Sequence, residues 1–171
     1  RINRSELTVK NKGAEIRVIT AFDGDLFTKE IIHETGNNKL YETDISEDIL
    51  KIIVKDRYRD APPAVAFIKG FGLKSGAFAS SVAHDSHNII SIGCNDKDIA
   101  DAINEIVKLK GGLAVADNGA IESLALTIGG IMSDKSGKEV AMEYEKLSQL
   151  AGKMGCSLKA PFMTLSFMAL L

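Results

Sequence analysis

The spacing of apolar residues changes character along this chain, and each change predicts a different element. In the first half the apolar positions alternate or form short runs, as strands require. Glu15-Ile16-Arg17-Val18-Ile19 alternates and leads into the turn former Asp23-Gly24-Asp25. Residues 26–33 and 48–58 are further strand candidates, the second centred on Ile52-Ile53-Val54. Glu30, His33 and Glu34 fall near the end of the former, and the polar stretch 35–39 is a loop. Pro62-Pro63 interrupts the pattern before a short apolar run at 64–68, and Asn88-Ile89-Ile90-Ser91-Ile92 reads as a buried strand.

Helical periodicity follows. Ile99, Ala102, Ile103, Ile106 and Val107 repeat on one helix face, with Asn95 or Asp96 as the N-cap and Gly111-Gly112 as the stop. The runs 113–116 and 120–126 flank Asn118-Gly119, a two-residue hairpin signal because both positions tolerate positive φ. Ser136 and Glu139 form a capping-box pair ahead of Val140, Tyr144, Leu147, Ala151 and Met154. Gly155 ends that helix, and Pro161 opens a final short helical segment. Strands, helix, hairpin, helix is the order of an α+β domain: an antiparallel or mixed sheet with helices packed on one side.

Composition narrows the class. The 171 residues suffice for one domain with a substantial core. A hydrophobic content of 45% with 26% charged residues is ordinary for a globular protein. The net charge of -2 gives no electrostatic case for nucleic acid. The basic spots Lys10-Asn11-Lys12 and Arg57-Tyr58-Arg59 read as solvated surface. No apolar run approaches the ~20 residues of a membrane span, and the expected compartment is the cytoplasm. Cys94 and Cys156 are too few for a disulfide framework and are expected as reduced thiols, Cys94 as a small buried residue. The chain opens without methionine and stops within Phe167-Met168-Ala169-Leu170-Leu171, the pattern expected of a piece of a longer polypeptide. Such a piece is expected to expose an apolar patch including Phe162, Phe167, Leu170 and Leu171.

One window concentrates chemistry. Ser81-Val82-Ala83-His84-Asp85-Ser86-His87-Asn88 holds two of the three histidines, an aspartate, two serines and an asparagine. From spacing alone, two readings stand. These groups either act on a ligand, or they hydrogen-bond their own backbone and fix a turn, as Asp, Ser and Asn often do. The preceding Gly70, Gly72 and Gly76 with Lys74 lack the spacing of a phosphate loop and predict a tight bend with close backbone approach. Gly129-Gly130 with Asp134 reads as a loop before the second helix. No His-x-His pair occurs, so three histidines leave a catalytic metal site short of ligands.

The window, read with its flanks as GFGLKSGAFASSVAHDSHNI, resembles the signature of the C-terminal domain of adenine deaminases, in the amidohydrolase superfamily. The resemblance continues through Pro63-Ala64-Val65-Ala66-Phe67-Ile68-Lys69, Lys110-Gly111-Gly112-Leu113-Ala114-Val115-Ala116-Asp117, Gly130-Ile131-Met132-Ser133-Asp134 and Pro161-Phe162-Met163-Thr164-Leu165-Ser166-Phe167, in the family's order. It is firm from residue 63 to 171 and looser before.

This resemblance implies that residues 1–171 are a single domain, the C-terminal part of a longer deaminase whose metal-binding barrel is absent from the chain. The family reaction is hydrolysis of adenine to hypoxanthine and ammonia. A divalent metal (Mn, Fe or Zn) is expected in the missing barrel and no cofactor in this fragment. The expected partners are adenine, the N-terminal barrel domain and further copies of the chain, with no nucleic acid and no membrane. The resemblance assigns supporting catalytic roles to His84, Asp85 and His87, and substrate contacts to Lys74, Ser81, Ser86 and Asn88. Two other functions compete with it: a regulatory or oligomerising domain fused to a hydrolase, and a small free-standing enzyme using His84 or His87 as general base.

Overall fold

The computed structural model describes residues 1–36 and 39–170. A 3-10 turn, Arg4–Leu7, precedes β1 (Val9–Lys10), β2 (Glu15–Thr20), β3 (Lys29–Glu34) and β4 (Leu40–Tyr41). There follow β5 (Leu50–Lys55), β6 (Ala64–Lys69), β7 (Ala77–Ser80) and β8 (Ile89–Gly93). The chain then forms α1 (Asp96–Leu109), the pair β9 (Gly112–Asp117) and β10 (Ala120–Ala125), α2 (Gly137–Lys153) and α3 (Pro161–Phe167). Among the described residues, eight strands make one sheet in the order β10-β9-β7-β8-β5-β6-β2-β3, while β1 and β4 pair separately as a short ribbon. The β2–β6 pair is parallel and the other pairings are antiparallel, so the sheet is mixed.

The helix signals act as their chemistry requires. Asn95 caps α1 by accepting from the Asp98 amide. Lys110, at φ 64, turns the chain out of that helix in the left-handed region. At the hairpin tip Asn118 and Gly119 take φ 50 and 89, the two positive values a tight two-residue turn needs. Ser136 and Glu139 close the capping box of α2, and Pro161 occupies the first turn of α3.

Expected and observed elements differ in three main respects. The 26–33 strand begins only at Lys29, because the Asp25 carboxylate accepts from the Phe27 amide and holds residues 22–28 as a turn. The glycine-rich lead to the histidine window carries no strand signal yet ends in strand β7. All four of its residues are buried, so it shows no alternation. Asn37 and Asn38, in the expected 35–39 loop, and Leu171 lie outside the described residues.

The third difference concerns the layers. The class is α+β, but the helices, expected on one side, divide between the two faces of the sheet. Ala77, Ala79, Ala114 and Ala116 pack with Ile99 and Ile103 of α1 on one face. Phe78, Leu113 and Val115 pack with Leu147 of α2 and Phe162 of α3 on the other. Small residues under α1 let it approach closely, and a Cβ on Gly93 would stand 2.6 Å from the Ile99 side chain. A third cluster, Ile16, Val18, Tyr41, Ile49 and Phe67, fills the space between β2 and the β1–β4 ribbon.

Both cysteines are buried and unpaired. Burial, with the Asp48, Asp98 and Asp117 carboxylates nearby, pushes the Cys94 thiol up to about 12 from an ordinary 9.0, and burial raises Cys156. An unfolded Cys94 loses its proton near 9.0 and the folded one does not, so its contribution to stability falls as pH rises above that value. A thiol reagent at pH 8 is expected to leave both cysteines of the folded chain unmodified over minutes and to titrate both in guanidinium chloride. Rapid native reaction at Cys94 would contradict this burial.

Candidate functional site

The histidine window is the loop joining β7 to β8 at one end of the sheet. Its root is Ser81, which is fully buried. The Ser81 amide donates to the Gly112 carbonyl at 2.9 Å, and its hydroxyl accepts from the Gly112 amide at 2.8 Å. The same hydroxyl donates to the Gly130 carbonyl. Ser81 therefore ties the loop to the start of β9 and to the Gly129-Gly130 turn, with its hydroxyl committed to backbone.

Beyond Ser81 the loop leans on α3. The His84 amide donates to the Ser166 carbonyl at 3.1 Å, and the imidazole stacks on Phe167 with ring centroids 4.9 Å apart and planes 20° from parallel. His87 follows a turn closed by its own amide on the Ala83 carbonyl at 2.7 Å, with its backbone at φ 50. The two imidazoles lie 6.2 Å apart. Asp85 and Ser86 between them are exposed. Beside His84 opens a largely apolar cavity of about 360 Å³, with Leu124, Ile131, Val140, Tyr144 and Phe162 among its walls.

Arg57 braces the loop from the other side. Its guanidinium donates to the His87 carbonyl at 3.2 Å and to the Gly129 carbonyl at 2.8 Å, and its amide donates to the Asn88 side chain at 3.3 Å. The sequence placed Arg57 on a solvated basic spot; the structure makes it a half-buried strut between two loops. Phe167, expected only as packing, orients an imidazole. Neither role is marked in the sequence, because both arise from partners distant along the chain.

The groups of the window divide by what they do within the fold. Ser86 and Asn88 make local bonds: the Ser86 hydroxyl accepts from the Asn88 amide at a long 3.5 Å, and the Asn88 carbonyl oxygen holds Arg57. The His84 and His87 rings and the Asp85 carboxylate form no hydrogen bond or ion pair with a described residue. The Nδ1 atom of His87 is buried without a partner. Turn-forming chemistry thus accounts for Ser86 and Asn88, but not for the two histidines or Asp85.

Lys74 does not join this group. It stands at the opposite end of β7, its amide on the Met154 carbonyl at 2.8 Å and its ammonium 3.3 Å from the Ile45 carbonyl. Four residues of strand separate it from Ser81, about 13 Å of extended chain. The glycines around it form the expected tight bend. The Asp48 carboxylate accepts from the Gly70 and Gly72 amides, and a Cβ on Gly70 would fall 2.1 Å from the Ala21 carbonyl oxygen. Among the described residues no three His, Cys, Asp or Glu side chains come together as a metal-binding group. His84, Asp85 and His87 share the loop but are not gathered as such a group, the two imidazole centroids standing 6.2 Å apart.

By fold and site the chain is an α+β domain that holds a braced, hydrogen-bonding loop at one end of a mixed sheet. None of its described helices is long and apolar enough to cross a membrane. Residues 25–171 match the adenine deaminase C-terminal domain, and the chain belongs to that family. It is 49% identical over 158 residues to an adenine deaminase of Methanosarcina barkeri, covering 92% of this chain and 29% of the relative. An adenine deaminase of a Sulfurovum species is 47% identical over 171 residues, covering 99% of this chain and 31% of the relative. One from Archaeoglobus fulgidus is 40% identical over 164 residues, 95% of this chain and 29% of the relative. The chain spans about three tenths of the length of the curated relatives it matches.

Proposed function

We propose that this chain is the C-terminal domain of an enzyme that hydrolyses adenine to hypoxanthine and ammonia, and that its 84–88 loop borders the active site of a metal-bearing barrel in the rest of the polypeptide. One observation carries the role of the loop: His84, Asp85 and His87 leave their hydrogen-bonding capacity unspent within the fold, on a loop braced by Arg57, Ser81 and Phe167. A buried imidazole nitrogen without a partner costs stability unless a ligand completes it. The left-handed backbone at His87 adds a cost of roughly 1 kcal/mol, and such strain concentrates at functional sites.

The chemistry suits a purine. Neutral imidazole donates from one nitrogen and accepts at the other, which matches a purine whose ring nitrogens are acceptors apart from one N–H donor. The Asp85 carboxylate accepts from an exocyclic amine or holds a water by its proton. In this assignment His84 and His87 contact or orient the purine and Asp85 orients the leaving amine. Ser86, Asn88 and Arg57 keep the loop in place, and metal ligation belongs to residues outside this chain.

In the full-length enzyme His87→Ala is expected to lower kcat/KM by roughly 10-fold or more, the effect of losing an orienting partner. Metal content and melting temperature stay nearly unchanged. His84→Ala is expected to act in the same direction, with some loss of stability because its ring also packs on Phe167. Unchanged kinetics in both variants, with a lowered melting temperature, would reduce the loop to a structural turn.

A further inference from the structure

We propose that the bare face of the β2–β3 wing, together with the 22–28 turn and the residues after α3, is the surface on which this domain docks against the remainder of its own polypeptide. On one face of that wing the ribbon and the cluster around Phe67 cover Ile16 and Val18. The opposite face carries Arg17, Ile19, Glu30 and Ile32, since Arg17 pairs with Ile32 and Ile19 with Glu30 across the two strands. Ile19 is half-buried against the cluster beneath α2 and α3, whereas Ile32 is 55% exposed in the middle of a strand.

That face mixes two aliphatic side chains with the exposed Arg17–Glu30 ion pair, and its surroundings add further apolar groups. Leu170 and Met168 meet Ile19, Thr28 and Glu30 along a shallow cleft, and Leu170 is 46% exposed. The adjoining turn presents Leu26 and Phe27, 61% and 80% exposed. That turn is fixed rather than loose: the Lys159 amide donates to the Asp23 carboxylate at 3.2 Å, and Asp25 caps the Phe27 amide. The turn, the wing and the segment after α3 thus leave Phe27, Leu26, Ile32 and Leu170 exposed, a concentration of large apolar side chains that marks an interaction site.

The occupant follows from length. Relatives that match nearly all of this chain are over three times as long, so some seven tenths of each lies outside the matched domain. A domain joined to so large a body buries a face against it. The chain links this face to the candidate site, because Phe167 stacks on His84 while Met168 and Leu170, one and three residues on, line the cleft. Docking there sets the 84–88 loop at the domain boundary. This inference rests on the proposal that the chain is one domain of a longer deaminase, and not on the chemistry of the loop.

Hydrogen exchange read by mass spectrometry tests it. Peptides covering 22–32 are expected to exchange about 10-fold or more slowly in the full-length protein than in the 171-residue chain, while those of β7 and β8 exchange slowly in both. In the full-length protein F27D is expected to raise exchange at 22–32 and leave the buried strands β7 and β8 unchanged, a comparison that does not require the shorter chain. Equal exchange at 22–32 in the two proteins, or no effect of F27D, overturns the docking face. Protection that appears in the 171-residue chain as its concentration rises assigns the face to a second copy and overturns it equally. The loop fails by a different result, unchanged kinetics in His87→Ala, which leaves this surface standing.

Discussion

Replacing Phe78 by alanine is expected to destabilise the chain by about 3–5 kcal/mol, the range for fully buried phenylalanines. Phe78 lies on β7, a strand near the middle of the sheet, and has no exposed surface. Its ring sits 5.0 Å from that of Phe162 on α3 and 6.1 Å from that of Phe71. Phe162 in turn meets Tyr144 of α2 at 5.9 Å, so one ring joins the sheet to both helices on that face. Alanine would leave a cavity in a region packed from three sides, which collapses only by moving α3. Because α3 carries the Ser166 carbonyl and the Phe167 ring, the His84 loop should loosen as well. Phe78→Leu retains much of the volume and is expected to cost less. Urea denaturation of both variants measures the difference, and a loss below about 1 kcal/mol for Phe78→Ala would contradict this packing.

The second large effect is an absence of turnover. The 171-residue chain alone is expected to form no hypoxanthine from adenine at an enzymatic rate, with Mn, Fe or Zn added. His84 and His87 share one loop, but His33 lies on β3 at the far edge of the sheet. Five strand spacings separate β3 from β7, about 24 Å, so the third imidazole cannot join the other two. A catalytic metal centre holds its ion with three protein ligands and needs a general acid-base group besides. The loop offers two imidazoles and a carboxylate for all of these roles. Purified protein assayed for hypoxanthine decides it. Turnover on the order of 1 per second would show that the loop is a complete active site.

The apolar patch expected near the chain's end is present but differently composed. Phe162 is buried between Phe78 and Tyr144, Phe167 is partly covered by His84, and Leu171 lies outside the described residues. Leu170 is exposed as expected. Phe27, an 80% exposed ring, falls within the expected 26–33 strand. A local carboxylate cap on its amide overrode that pattern.

Local chemistry by itself determined much of this protein. The caps Asn95 and Ser136, the Asn118-Gly119 turn and the 3.6-residue stripe of α1 fix their elements through bonds between near neighbours, so they are read directly from the chain. The 81–88 window was visible for the same reason, as a run of polar groups dense enough to stand out. Tertiary structure alone decided the rest. An amphipathic helix carries one apolar stripe whichever side of a sheet it covers, so the division of helices between two faces is absent from periodicity. Strand β7 is covered on both faces and loses the alternation that marks a strand. Ser81 became a buried anchor, Lys74 was carried to the opposite end of β7, and Arg57 was drawn under the loop, because partners distant in sequence met there. Composition named the groups able to do chemistry; packing decided which were spent on the fold and which were left over.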